Sequence, residues 1–188
     1  MSPGASGKKP TTYVALLRGI NLGARNKVAM PALRALVESL GHSDVQTYIQ
    51  SGNVVFTAGS GSSAEIAAAM EAGIKTGLGL AVPVVLRTSK ELERATLRNP
   101  FLAAGADPAA LHVAFLGSPA TKAAAATLDP DRSPGDEFAV VDAEVYLHCP
   151  NGFGRSKLGL DWFEKKLGAT ATIRNWRTVT TLAELSRA

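Results

Sequence analysis

Short apolar runs, each broken by a glycine- or proline-rich turn, set the rhythm of this chain. Residues 13–17, TyrValAlaLeuLeu, read as a strand. After a polar loop, Pro31 occupies a position favoured in a first helical turn. Leu33, Leu36, Val37 and Leu40 then fall at helical spacing, and Gly41 is a natural stop. Two β-rich runs follow, 44–49 and 53–57, separated by Gln50-Ser51-Gly52, which predicts a hairpin. Residues 59–63 form a connector. Within it Ser62 pairs with Glu65 as a capping box, opening an alanine-rich helix that fades at Gly77 and Gly79. Residues 82–87 read as a strand. Thr88 with Glu91 caps another short helix, which Asn99-Pro100 terminates. The order is β-α-β-β-α-β with a trailing helix.

The second half repeats that order. Residues 111–116 form a strand, and Ser118-Pro119 starts an alanine-rich helix ended by Asp129-Pro130. Residues 137–141 and 144–148 read as a hairpin turning at Asp142-Ala143. A helix over 158–167 is closed by Gly168, a strand covers 170–174, and Thr178 caps the final helix. Arg87 and Arg174 each close the fourth strand of their half. Each half matches a ferredoxin-like βαββαβ unit, so the predicted fold is α+β, a tandem pair of such units with a trailing helix each. The domain reading is a disordered basic tail over 1–11, a first half over 12–99 and a second over 108–188, with the boundary at 99–108.

Chemistry gathers in the turns. The loop 18–27, RGINLGARNK, holds three cations, two asparagines and two glycines, with no acid. Such a strand-to-helix loop suits an anion, because glycine lets the backbone approach and free amides at a helix start point the same way. In a ferredoxin-like unit this loop and the 50–53 hairpin meet at one end of the sheet. Arg18, Asn21, Asn26, Lys27, Gln50, Ser51 and Asn53 are therefore candidate ligand-binding residues. In the second half, the loop 151–157 (NGFGRSK) follows strand three and 174–178 (RNWRT) follows strand four, again at a shared end. They contribute Arg155, Ser156, Lys157, Arg174, Asn175 and Trp176. Both loop pairs are basic and acid-free in sequence.

Each motif also has a plain structural account. Asn21 and Gly23 suit positive φ, Asn26 suits a turn, and Ser-Gly-Asn is ordinary hairpin chemistry. GFGRSK lacks the G-x-x-x-x-G-K-[ST] spacing of a phosphate-hydrolysing loop, and Ser156 reads as a helix cap. Trp176 reads as a packing residue.

Composition narrows the classes. The 188 residues are 46% hydrophobic, enough for one domain or two small ones, and the net charge is +4. A pI near 9.4 permits an acidic partner without the concentrated charge of a dedicated nucleic-acid protein. Cys149 is the one cysteine, so no internal disulfide forms, and His42, His112 and His148 are scattered without zinc-site spacing. No cofactor motif is present. Residues 1–10 lack a signal-peptide core and no later run approaches a membrane span. A cytoplasmic protein without membrane partners is expected, with a monomer favoured.

Four segments in this order, TYVALLRGINLG, TYIQSGNVVF, GRSKL and RNWRTVTTL, resemble the bacterial family filed as domain of unknown function 1697. The resemblance runs from about Tyr13 to Leu185. It implies a tandem α+β fold and a bacterial source, and it carries over no substrate or catalytic residue. Where members often have a second glycine after Leu22-Gly23, this chain has Ala24.

Three functions compete. The leading reading is a binding protein for a phosphate-bearing or other anionic ligand, a nucleotide or a nucleic-acid backbone. The second is an enzyme acting on a small anionic metabolite, disfavoured because the four motifs hold no Asp, Glu, His or Cys to serve as a base. His112 and His148 lie on strands and share one face in this reading, more simply as structural histidines. In the third, the motifs only hold the halves together. An RNA-recognition module is a poor fit, since SGNVVFT lacks paired stacking aromatics.

Overall fold

The computed structural model describes residues 9–187. They fall into two compact units, one of residues 9–90 with 185–187, the other of residues 91–184. Most of the expected N-terminal tail, residues 1–8, lies outside the described residues, and the first strand begins at Thr11. The architecture is α+β with two four-stranded antiparallel sheets.

The first unit comprises β1 (Thr11–Leu17), α1 (Met30–Ser39), β2 (Ser43–Tyr48), β3 (Asn53–Ala58), α2 (Ser63–Leu78) and β4 (Val84–Thr88), with sheet order β2-β3-β1-β4. Side chains alternate across a strand, so Tyr13, Ala15 and Leu17 join Phe56, Val54 and Leu86 in one core under the helices. Val14, Leu16 and Val55 on the opposite face are buried as well. Leu33 and Val37 of α1 are fully buried, whereas Leu36 and Leu40 are only partly so. Leu36 lies instead over α2, where a Cβ on Gly73 would come within 3.2 Å of its Cδ2. Ser62 caps α2 as expected: its Oγ accepts from Glu65 N, and its N–H donates to Glu65 Oε2 at 2.7 Å.

The second unit opens with most of α3 (Ser89–Leu97) and with α4 (Pro100–Ala103). It continues through β5 (Leu111–Leu116), α5 (Lys122–Ala125), β6 (Glu137–Val141), β7 (Glu144–His148), α6 (Leu160–Leu167), β8 (Ala171–Asn175) and α7 (Trp176–Leu185). Sheet order is β6-β7-β5-β8. Ala114, Leu116, Leu147 and Ala171 face Phe163 and Leu167 of α6 in one core. On the other face the buried Tyr146 donates its hydroxyl to Ala95 O of α3 at 2.9 Å. The two sheets share a register. Val14 of β1 lies opposite Val55 and Arg87, and Val113 of β5 lies opposite Tyr146 and Arg174.

Four sequence expectations need correction. The alanine-rich stretch 118–129 forms only the single turn of α5. Helix propensity cannot sustain so short a segment unaided, and beyond Lys122 its one large buried anchor is Leu128. His112 pairs with Leu147 while His148 pairs with Leu111, so the two histidines lie on opposite faces of the sheet. Ser156 does not cap α6, which begins after Gly159; its Oγ accepts from Leu158 N at 3.1 Å. Thr178 is capped rather than capping, since its N–H donates to Asn175 Oδ1 at 2.8 Å.

Candidate functional site

The 18–27 loop leaves the end of β1 and is fastened to the β2–β3 hairpin. The Leu17 N–H donates to Gly52 O at 2.8 Å. Gly52 sits at φ 76°, and a Cβ there would come 2.8 Å from both Leu17 Cβ and Ile20 Cδ1. This is a position only glycine fills without displacement. Asn21, in the left-handed region at φ 53°, does most of the fastening. Its Nδ2 donates to Val28 O (2.9 Å) and Gln50 O (2.8 Å), and its Oδ1 accepts from Val28 N (2.9 Å). Both amide hydrogens are thus committed to main-chain carbonyls. Asn26 closes the loop on itself, donating to Gly19 O at 3.0 Å. In the hairpin the fully buried Asn53 donates to Tyr48 O (3.1 Å) and Ser51 Oγ (3.0 Å). Arg18 is half-buried, and its backbone N–H donates to Pro83 O.

Between the fastened loops lies an open pocket of about 450 Å³ lined by Asn21, Lys27, Val28, Ala29 and Gln50. Lys27 and Gln50 are exposed. Helix α1 begins at this pocket: Ala29 is its N-cap, no side chain caps it, and its first turn carries no acid. The first amides of a helix have no partner within it and carry its positive dipole end; Pro31, in the first turn of α1, has no N–H, so the donors of that turn are those of Met30 and Ala32. Next to Gln50 in the chain, Ile49 adopts φ 49° while 49% exposed, a conformation that costs an L residue roughly 1–2 kcal/mol.

The loops of the second unit are built differently. A 3-10 turn, Phe153–Arg155, follows Gly152 at φ 88°. The loop is strapped by the segment 129–136. Lys157 N donates to Ser133 Oγ at 3.0 Å, Arg132 Nε donates to Lys157 O at 2.9 Å, and the Ser133 hydroxyl donates to Asp136 Oδ2. Arg132 also stacks 4.7 Å from the Trp162 ring centroid. A carboxylate therefore stands against a loop that is acid-free in sequence. Arg155 and Lys157 are exposed, Trp176 is buried, and Asn175 is committed to capping α7. Arg174 is buried and donates to Thr172 Oγ1 and Ile173 O, both at 2.8 Å; burial lowers its pKa to about 10.

Beneath this loop His112 stacks on Phe153, ring centroids 4.9 Å apart, with its buried Nδ1 lacking a hydrogen-bond partner among the described residues. Burial lowers the His112 pKa, an effect the nearby Ala110 carbonyl partly offsets. Burial pushes the Cys149 thiol up, against a smaller lowering by the Ser156 hydroxyl. Among the described residues no group of three His, Cys, Asp or Glu side chains is placed to hold a metal ion. No helix among them is long and apolar enough to cross a membrane.

The family model described as protein of unknown function (DUF1697) matches residues 11–146. The chain belongs to that family. The match spans β1 to β7 and so includes both first-unit loops. The DUF1697 chain is also similar to a solved structure, the conserved bacterial protein SP0830 from Streptococcus pneumoniae. The two share 24% identity with a TM-score of 0.71, covering 94% of this chain and 99% of the other. At that identity the likeness bears on the fold alone. No curated protein matches the chain.

Several participants in this DUF1697 chain carry no sequence signal of their role. Ala29 and Val28 line the pocket through position alone. The 129–136 strap acts on a loop some two dozen residues away, beyond the reach of local pattern. The strained Ile49 stands where turn chemistry favours glycine or asparagine.

Proposed function

We propose that residues 12–99 and 108–188 are ferredoxin-like βαββαβ halves related by duplication, and that the first unit binds a small anionic, phosphate-bearing ligand. The module reading is supported by the shared strand order and by the matching positions of Val14 with Val113 and Arg87 with Arg174. The binding reading is carried by one observation. An open pocket lies at the start of α1, which no side chain caps, with Lys27 and Gln50 on its walls and no acid among the described residues of its lining. Lys27 supplies charge, Gln50 supplies directional donors, and the helix start adds backbone amides. Asn21, Asn26 and Asn53 hold the walls in place rather than meeting the ligand.

A small anion fits better than a nucleic-acid backbone. Among the described residues the pocket lining holds a single cation, and polyanion binding needs several in register. The candidates in the second unit support binding less, since Asp136 accompanies that loop and Arg174 is buried.

Thermal unfolding with a phosphate-bearing probe, adenosine monophosphate, tests the reading. A ligand at a hundred times its Kd stabilises by about 2.7 kcal/mol. Lys27→Met should remove most of that shift and leave the ligand-free Tm in place, because Lys27 is exposed. Arg155→Met should leave the shift intact. Loss of the shift in the Arg155 variant alone would move the site to the second unit.

A further inference from the structure

The outer strand of the second sheet is an open edge. β6 stands at one end of the order β6-β7-β5-β8 and pairs on one side only, with β7. Parity along β7 fixes which main-chain groups that pairing uses. Ala143 O accepts from Leu116 N and Cys149 N donates to Ala110 O, so the odd positions of this segment face β5. Glu144, Tyr146 and His148 therefore face β6, opposite Val141, Ala139 and Glu137. The N–H and C=O groups of Phe138 and Val140 point away from the sheet, and they make no hydrogen bond among the described residues.

Edge strands commonly carry a device against further pairing, such as a bulge, a proline or a lysine. β2, at the same place in the first sheet, has one: its ladder shifts between Ser43 and Gln46, and Asp44 turns to φ 53°. β6 has none. Its register with β7 is regular throughout, and the four residues after Glu137 are apolar and half-buried. Its one charge, Glu137, already meets His148 Nδ1 at 3.0 Å within the sheet. Phe138 stands edge-on to Trp162 and Phe163, with ring centroids 5.8 and 5.6 Å away, so an aromatic cluster adjoins the edge.

The geometry points to a second copy of this chain as the occupant, with β6 pairing antiparallel to its own equivalent across a two-fold axis at Ala139. The strand is self-complementary in that register. Phe138 comes opposite the second copy's Val140, and Val140 opposite its Phe138, so every outward N–H meets an outward C=O. Ala139 faces itself in a non-hydrogen-bonded pair, where Cα atoms approach to about 4.5 Å and a small side chain fits. Phe138 against Val140 is an aromatic on a β-branched residue, a favourable cross-strand pair. At each end Glu137 comes opposite Val141, next to Asp142, where Arg98 supplies a cation through its 2.7 Å bond to the Asp142 carboxylate. Such a contact uses the same patch on both copies, as a two-fold dimer requires. One short strand per copy makes a small interface, so monomer and dimer exchange with concentration.

Sedimentation velocity of the full chain over about two decades of concentration should show that equilibrium. Ala139→Lys and Ala139→Glu each set like charges face to face on the axis, so each alone should weaken the dimer at least about tenfold. Mixing the two variants in equal amounts should restore it, an outcome that misfolded chains do not give. Amide exchange needs no variant: the Phe138 and Val140 amides should exchange more slowly as the unmodified chain is concentrated. A monomer at every concentration, with exchange at those amides unchanged, would overturn the proposal and leave the edge to an extended segment of another protein. A dimer that both variants leave intact would place the contact elsewhere and overturn it as well. Disruption without rescue on mixing, together with concentration-independent exchange, would do the same.

Discussion

The two units share a strand order and a register, yet they gather their polar loops at opposite poles of the sheet. In the first, the segments after β1 and β2 meet where β1 ends, joined by Leu17 N to Gly52 O. In the second, the segments after β7 and β8 meet where β5 begins, with Cys149 N donating to Ala110 O and His112 opposite Asn175. The pole of the second unit that corresponds to the 18–27 loop is closed by plain backbone pairing, Gly117 N to Thr170 O and Ala120 N to Asp142 O. The first crossovers differ too, ten residues of helix in α1 against four in α5. A common scaffold thus does not dictate where polar loops gather; the loop sequences do.

The strongest way to break this comparison is through the crossover helices. Leu33 is fully buried in α1, so Leu33→Ala should destabilise by about 2–5 kcal/mol in chemical denaturation. Ala124→Gly in α5 should cost no more than about 1 kcal/mol, the propensity difference alone. Comparable losses from the two would mean that α5 carries as much of the fold as α1.

Loop glycines sharpen the contrast at the next level. Gly52→Ala must displace Leu17 and Ile20 as well as strain the backbone, so a loss of about 1–3 kcal/mol from overpacking adds to the cost of positive φ. Gly152, at φ 88°, has nothing within 4 Å of the place an alanine methyl would take, so Gly152→Ala should lose only the strain of roughly 1–2 kcal/mol. Equal Tm shifts for the two alanine variants would dissolve the difference between a packed loop and an open one.

The smallest expected effect is one of pH. Burial lowers the His112 pKa below its ordinary 6.5, so the folded protein binds fewer protons than the unfolded chain as pH falls through that value. Stability is complete above about pH 6.5 and declines towards the lowered folded pKa. His42, also lowered by burial, acts in the same direction from the first unit. His112→Gln should flatten the acid-side slope of Tm against pH, and His42→Gln should flatten it less, since His42 is the more weakly buried. An unchanged slope in the His112 variant would assign the acid sensitivity elsewhere.

Much of the fold was legible because period-two alternation and turn chemistry are local. The bounds of β5, β6 and β7 agree with the sequence reading to the residue, and the turn falls at Asp142, which adopts φ 55°. The meeting of the 18–27 loop with the hairpin followed from topology. What escaped depends on tertiary support. Alanine content over 118–129 indicated a long helix, but a helix persists when an apolar face is buried, and this one has little to bury. The pairing of His112 with Leu147 rather than His148 is a matter of strand register, which a sequence pattern leaves open. The caps at Asn175 and Gly159 each lie three positions from the residue that local preference chose, Thr178 and Ser156.

Asn21 fastens the pocket by touching only main-chain atoms of Val28 and Gln50. The latch is therefore blind to which side chains stand at 28 and 50. Substitution at those positions by any residue that keeps its backbone N–H can remodel the walls while the frame keeps its dimensions, so pocket lining and architecture are free to vary separately.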